Sequence, residues 1–370
     1  MLAVCADVAA DGTTAAVTVH SASLSLELID ASGTLTRLNQ PLDSLAPSLP
    51  IAERCDAHFD EGGELIAVGV KNDKLGADLQ IVVADVKRLD WIGRWRVDRS
   101  AGFHSPTFAG FFDRRPVLAV VGALAAANGQ SHGSMAILLF DSRGQQLAAT
   151  PAVRAYAEGT DAFPNFVDAR HNRLWVCRCS ILNVPMSQQP LFPIESLALT
   201  GSEDRSPEFP TSSSGVNRSD LWFLPEVFAA PDRNTVILAE GARLWRVDVQ
   251  AQAIDSVTLP VRSHFPSLVP QAEAAAISPD GQIAAVAMTE SALAFPYLVD
   301  NHNYNGREVA VVQLRPLKTL GVVRNDGPRE PSGLAVDHRK GKVALLMYGK
   351  DGWQRRDLPE ASRPQGRASR

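Results

Sequence analysis

Residues 272–314 read AEAAAISPDGQIAAVAMTESALAFPYLVDNHNYNGREVAVVQL. The apolar run Ala274–Ile277 meets the turn Ser278-Pro279-Asp280-Gly281, and a second apolar run, Ile283–Met288, follows. After a polar and aromatic insertion, a third run spans Val309–Leu314, and Thr319–Val323 makes a fourth. Short apolar runs bounded by Ser, Pro, Asp and Gly are the pattern of strands joined by turns. Four in succession predict one small antiparallel sheet.

The same unit recurs along the chain. Its first turn falls at Asp11-Gly12, Gly62-Gly63, Asp113-Arg114, Arg170-His171, Asp232-Arg233, Asp280-Gly281 and Arg339-Lys340. That irregular period of about 50 residues suits four-stranded units with connections of variable length. Each turn leads into an apolar run, as in Ala15–Val19, Leu65–Val70, Val236–Leu238 and Val343–Met347. A four-stranded sheet of this kind needs cover on both faces. Stacking seven of them radially supplies it and leaves only short edges. The expectation is therefore all-β: a seven-bladed β-propeller of antiparallel blades at about 1–40, 51–97, 104–150, 160–200, 219–260, 272–323 and 330–358. They form one domain, 1–358, with a disordered tail at 359–370 after Pro359. The last blade shows three strands, Ser332–Asp337, Val343–Tyr348 and Trp353–Leu358. The fourth strand is expected from residues upstream of the start as written.

The segments AAISPDGQIAAVA (275–287), SGLAVDHRKGKVALL (332–346) and FAAPDRNTVILA (228–239) resemble the strand–turn–strand core of WD-repeat-like and YVTN-type β-propeller blades. The resemblance covers most of the chain at the level of blade pattern. It implies the fold, not one function, because propellers host scaffolds, lectins and several kinds of enzyme. No Gly-His pair opens a blade, and the nearest approach to a closing Trp-Asp is Leu244-Trp245-Arg246-Val247-Asp248. That departure favours the looser bacterial type over a WD adaptor.

Composition sets the outer bounds. The 370 residues are 45% hydrophobic and 21% charged with a net charge of -5, so there is no bulk basic character to attract nucleic acid. No run reaches the roughly 18 apolar residues of a spanning helix. The start, MLAVCADVAADG, has no basic region and no long apolar stretch. As written, the chain is expected to be a cytoplasmic monomer, or periplasmic or secreted if a leader precedes it. Of the four cysteines, Cys5, Cys55, Cys177 and Cys179, the last two share one side of the run Leu174–Ser180. They read as small apolar strand residues rather than half of a zinc site, which needs paired ligand clusters.

Two sets of residues carry candidate chemistry. The insertion 290–307 concentrates Phe295, Tyr297, Asp300, His302 and Tyr304. Aromatic platforms beside carboxylate and amide groups suit a sugar, peptide or protein partner; the competing reading is a loop that packs on itself. It joins a second strand to a third, so it shares a face with the connections between blades, where other long insertions also fall. The second set stands at first strands, around the mouth of the central channel: Asp56, His58, His104, Asp161, Glu273, Arg329 and Glu330. Carboxylates there could hold Ca²⁺, and a His–carboxylate pair could move protons; channel lining is the competing reading. No phosphate loop, nucleophile elbow or His-Glu-x-x-His occurs. The function expected is a non-enzymatic scaffold that binds a protein or other ligand on the long-loop face without a cofactor. The alternative is a metal-dependent lactonase or hydrolase with Asp56, Asp161 and Glu273 holding the metal.

Overall fold

A computed structural model of the chain describes residues 2–20, 23–41, 54–72, 78–97, 107–111, 118–124, 134–150, 162–170, 173–180, 194–197, 226–229, 235–240, 242–248, 251, 253–261, 268–292, 308–325 and 333–358. Among these there are strands and turns and no helix. The strands form seven separate antiparallel sheets in chain order.

The first sheet holds β1 (Leu2–Val8), β2 (Thr14–His20), β3 (Ser23–Ile29) and β4 (Leu35–Pro41). The second holds β5 (Arg54–Phe59), β6 (Leu65–Asn72), β7 (Asp78–Asp85) and β8 (Asp90–Val97). The third holds β9 (Thr107–Phe111), β10 (Leu118–Leu124), β11 (Ser134–Phe140) and β12 (Gln146–Thr150). The fourth shows β13 (Ala162–Arg170), β14 (Arg173–Ser180) and β15 (Ile194–Leu197). The fifth holds β16 (Glu226–Ala229), β17 (Thr235–Glu240), β18 (Arg243–Asp248) and β19 (Ala253–Thr258). The sixth holds β20 (Leu268–Ile277), β21 (Ile283–Ala292), β22 (Glu308–Leu314) and β23 (Leu317–Arg324). The seventh shows β24 (Leu334–Arg339), β25 (Lys342–Gly349) and β26 (Gly352–Asp357). The stretch 359–370 lies outside the described residues.

Each sheet meanders outward from its first strand. First strands also lie against one another in the order β1, β5, β9, β13, β16, β20, β24, and β24 lies against β1. The apolar core is divided accordingly into slabs between neighbouring sheets. Val17, Val19, Leu24 and Leu26 of the first sheet meet Val68, Val70 and Val82 of the second. Ala67, Ile81 and Val83, on the opposite side of the second sheet, meet Phe108, Leu138 and Phe140 of the third. The sixth sheet divides likewise: Ala284, Val286 and Val312 face the fifth, whereas Ala285, Ala287 and Val311 face the seventh.

This two-sided burial explains why second strands read as unbroken apolar runs. A strand covered on both faces needs no polar alternation. The outermost strands have lost that cover: β19 and β23 are half-buried or exposed throughout and admit polar residues, Asp255, Ser256 and Thr258 on the one and Lys318, Thr319 and Arg324 on the other.

The turns also follow from sequence. Asp30, Asp60 and Asp141 each open a hairpin or strand-joining turn and accept two later backbone amides on Oδ1 at 2.7–2.9 Å. At the quoted stretch, Ser278 Oγ takes that part by accepting the Ile283 amide at 3.0 Å. Gly281 then adopts φ 67°, in the left-handed region that a side chain disfavours.

Candidate functional site

Antiparallel meanders sort their connections by end. Connections from first to second and from third to fourth strands emerge together: 9–13, 30–34, 60–64, 141–145 and 278–282, with the strands β9 and β10 separated by 112–117. Connections from second to third strands and between sheets emerge at the opposite end. There the strands are separated by 42–53, 125–133, 181–193 and 293–307. Chain length is thus concentrated at one end of the sheets.

Of the proposed binding residues, Phe295, Tyr297, Asp300, His302 and Tyr304 lie outside the described residues. So do His104, Asp161, Arg329 and Glu330 of the channel-mouth set. Asp56, His58 and the backbone of Glu273 are described. Asp56 and His58 sit two apart on β5, on the side facing away from the first sheet; Cys55 and Ala57 occupy the other side and join the core with that sheet. Asp56 is exposed near the long-connection end of its strand. His58 is half-buried, its ring tilted against Phe108 of β9 with centroids 5.4 Å apart. On the neighbouring first strand, Asp7 Oδ2 accepts the Phe59 amide at 2.8 Å, tying β1 to β5. Glu273 stands where the β20–β21 register shifts between Ala272 and Ala274, the position of an extra residue in one strand. No group of three or more His, Cys, Asp or Glu able to hold a metal occurs among the described residues. No helix long and apolar enough to cross a membrane occurs among the described residues.

At the short-turn end lies a polar cluster that the sequence alone does not single out. Asp337 on β24 is 5% exposed. It receives Arg339 Nε on Oδ1 at 2.8 Å and Arg339 Nη2 on Oδ2 at 2.7 Å, and Arg355 Nη2 of β26 adds a bond to Oδ2 at 2.8 Å. Burial pushes the pKa of this carboxyl up, but the two guanidiniums together outweigh it and hold the pKa below the usual carboxylate value. The Asp337 bond in turn raises the pKa of Arg339. Arg339 Nη1 also donates to the Asp11 carbonyl of the first sheet at 3.3 Å. A β-carbon on Gly12 would lie 2.2 Å from that guanidinium, and Gly12 has φ 88°. Further out on the same face, Trp353 Nε1 donates to Thr18 Oγ1 of β2 at 3.0 Å. Its ring meets Tyr348 edge-on at 5.3 Å and covers Gly333, where a β-carbon would come within 2.6 Å of the indole.

Sequence reasoning also passed over Cys5 and Cys55, which form a disulfide between β1 and β5 with their Cα atoms 5.7 Å apart. A signal was present: each falls in the first strand of its unit, and the two units are consecutive.

No protein-family model matches this chain, and no curated protein matches it. Solved structures do. A chain in the crystal structure of the mitotic checkpoint complex superposes with a TM-score of 0.53 at 12% identity, covering 96% of this chain and 86% of that one. A protein from Lactobacillus plantarum superposes with a TM-score of 0.49 at 13% identity, covering 91% of each chain. With the sheets and their order, the first likeness defines the class: the chain has a β-propeller fold. At that identity the likeness speaks for fold alone.

Proposed function

We propose that the chain is a seven-bladed β-propeller, closed by contact of its seventh sheet with its first, that serves as a non-enzymatic binding scaffold. Its ligand, a protein or another molecule, docks on the face bearing the long connections, with Phe295, Tyr297, Asp300, His302 and Tyr304 of 290–307 as principal contacts. The observation that supports this reading is the concentration of chain length at one end of the sheets. Binding residues ride on loops held by a rigid frame, and aromatic side chains dominate the energy of such contacts. Deleting residues 295–305 from immobilised protein should abolish retention of the partner from lysate of the source organism. The melting temperature should move by less than about 2 °C, since loops far from a core contribute little to stability. Unchanged retention would refute the assignment to this loop.

A second reading, a metal-dependent hydrolase with Asp56, Asp161 and Glu273 around a Ca²⁺ ion, is favoured only by the exposure of Asp56 on an inner strand. Calcium analysis of purified protein and a melting scan with added Ca²⁺ decide it. A stoichiometric ion and a higher melting temperature support this reading, and their absence supports the scaffold.

A further inference from the structure

We infer that the Cys5–Cys55 bridge is a native structural cross-link, and that the chain therefore acquires its fold in an oxidising compartment. The inference starts from placement. The two cysteines stand in the first strands of consecutive sheets, at the one level where their Cα atoms approach to 5.7 Å, the common separation for a disulfide. Both are nearly sealed from solvent, at 4% and 7% exposure. Around them lie Ala3, Val17, Val19, Ala57, Val68 and Val70, so the pocket is apolar. An apolar setting raises a thiol pKa and suppresses the thiolate that exchange chemistry needs. A catalytic or sensing pair is built the other way, exposed and beside a cation. This bridge has the setting of a permanent staple.

Its position explains what it would hold. β1 is an innermost strand; it has β2 on one edge and rests against β5 and β24. A bond spanning 50 residues in sequence removes a large loop-closure entropy from the unfolded chain. Formation transfers two electrons and two protons from the thiols to an acceptor, a thiol–disulfide oxidant of the kind present in the periplasm, the endoplasmic reticulum or the extracellular space. The cytosol would keep the pair reduced.

The test uses the full chain isolated from its source organism, denatured in an alkylating reagent without reductant and mapped by peptide mass spectrometry. The expected result is one linked pair of peptides carrying Cys5 and Cys55, lighter by two hydrogens than the separate thiols and free of alkyl label. Quantitative labelling of both cysteines in that material would overturn the compartment inference. A second measurement isolates the staple. Reductant should lower the melting temperature of the native chain by about 4–6 °C, and should do nothing to the Cys5→Ala/Cys55→Ala variant. An equal response of both proteins, or none from the native chain, would overturn the structural role. Neither result bears on where a ligand docks, so the scaffold reading stands or falls separately.

Discussion

The first sheet has two neighbours, and it is joined to them by opposite means. Toward the second sheet it presents Ala3, Cys5, Val17, Val19, Leu24, Leu26 and Leu28, an apolar slab crossed by a disulfide. Toward the seventh it presents Val8 and Ala16, which cluster with Ala335 and Leu346, with Ala6 and Trp353 partly buried beside them and Val4 close to Gly333. Two bonds cross to the seventh sheet, Arg339 Nη1 to the Asp11 carbonyl and Trp353 Nε1 to Thr18 Oγ1, and Asp337 within that sheet holds Arg339 in place. The first interface removes more apolar area from water, with Asp7 on the Phe59 amide and Trp91 on the Asn39 carbonyl as its polar crossings; the second leans more on directional bonds. The first should be the one sensitive to reductant, and the second should weaken in acid through Asp337.

The largest effect expected is at the apolar interface. The Cys5→Ala/Cys55→Ala variant should lose about 3–4 kcal/mol in chemical denaturation, most of it the loop-closure entropy of the unfolded chain. Asp337→Ala comes next, at about 2–3 kcal/mol, because it leaves two guanidiniums facing each other; their partial exposure softens the cost. The carboxyl also gives this interface a pH dependence with a fixed sign. Its folded pKa is depressed, so the stability it contributes is fully present above the unfolded value of about 3.9 and is lost as pH falls through the folded value. Below about pH 4 the native protein should therefore lose stability faster than the Asp337→Asn variant, which cannot titrate there.

Smaller effects sharpen the contrast. Gly12→Ala should cost about 1 kcal/mol, chiefly because the residue keeps φ 88°; the guanidinium above it is the end of a flexible side chain and can shift. Thr18→Val deletes the bond from Trp353 Nε1 and leaves the indole against Gly333 and Tyr348, for a loss of about 1 kcal/mol. Trp353→Phe removes that bond and also the outer indole ring over Gly333, so the Thr18→Val/Trp353→Phe double variant should lose little more than Trp353→Phe alone, which a double-mutant cycle reads directly.

What the sequence disclosed and what it hid divide along the same physical line. The all-β class and the strand–turn–strand units were legible because local chemistry encodes them. Ile283–Met288 reads as a strand and β21 contains it; Asp11-Gly12, Gly62-Gly63 and Asp280-Gly281 read as turns and lie in the first hairpins of their sheets. Boundaries were less secure. β20 begins at Leu268, ahead of the expected 272, because Pro270 and Gln271 interrupt the apolar pattern without breaking the pairing to Glu290 and Thr289. Long-range partnerships were not legible. Nothing near Asp337 in the chain announces Arg355, and nothing near Cys5 announces Cys55. The first pair meets only when β24, β25 and β26 form one sheet, and the second only when two sheets stack. The channel-mouth set shares this difficulty: Asp56 and His58 are two residues on one strand, but which groups face them depends on the other first strands.

The most direct test of this account is an experimental structure of the chain at neutral pH without reductant. The account predicts seven sheets around one axis, β24 resting beside β1, Trp353 Nε1 bonded to Thr18 Oγ1, and continuous density between Cys5 and Cys55. An open arc, with residues 2–41 standing apart from 333–358, would contradict it. So would a β1 paired into the last sheet instead of with β2.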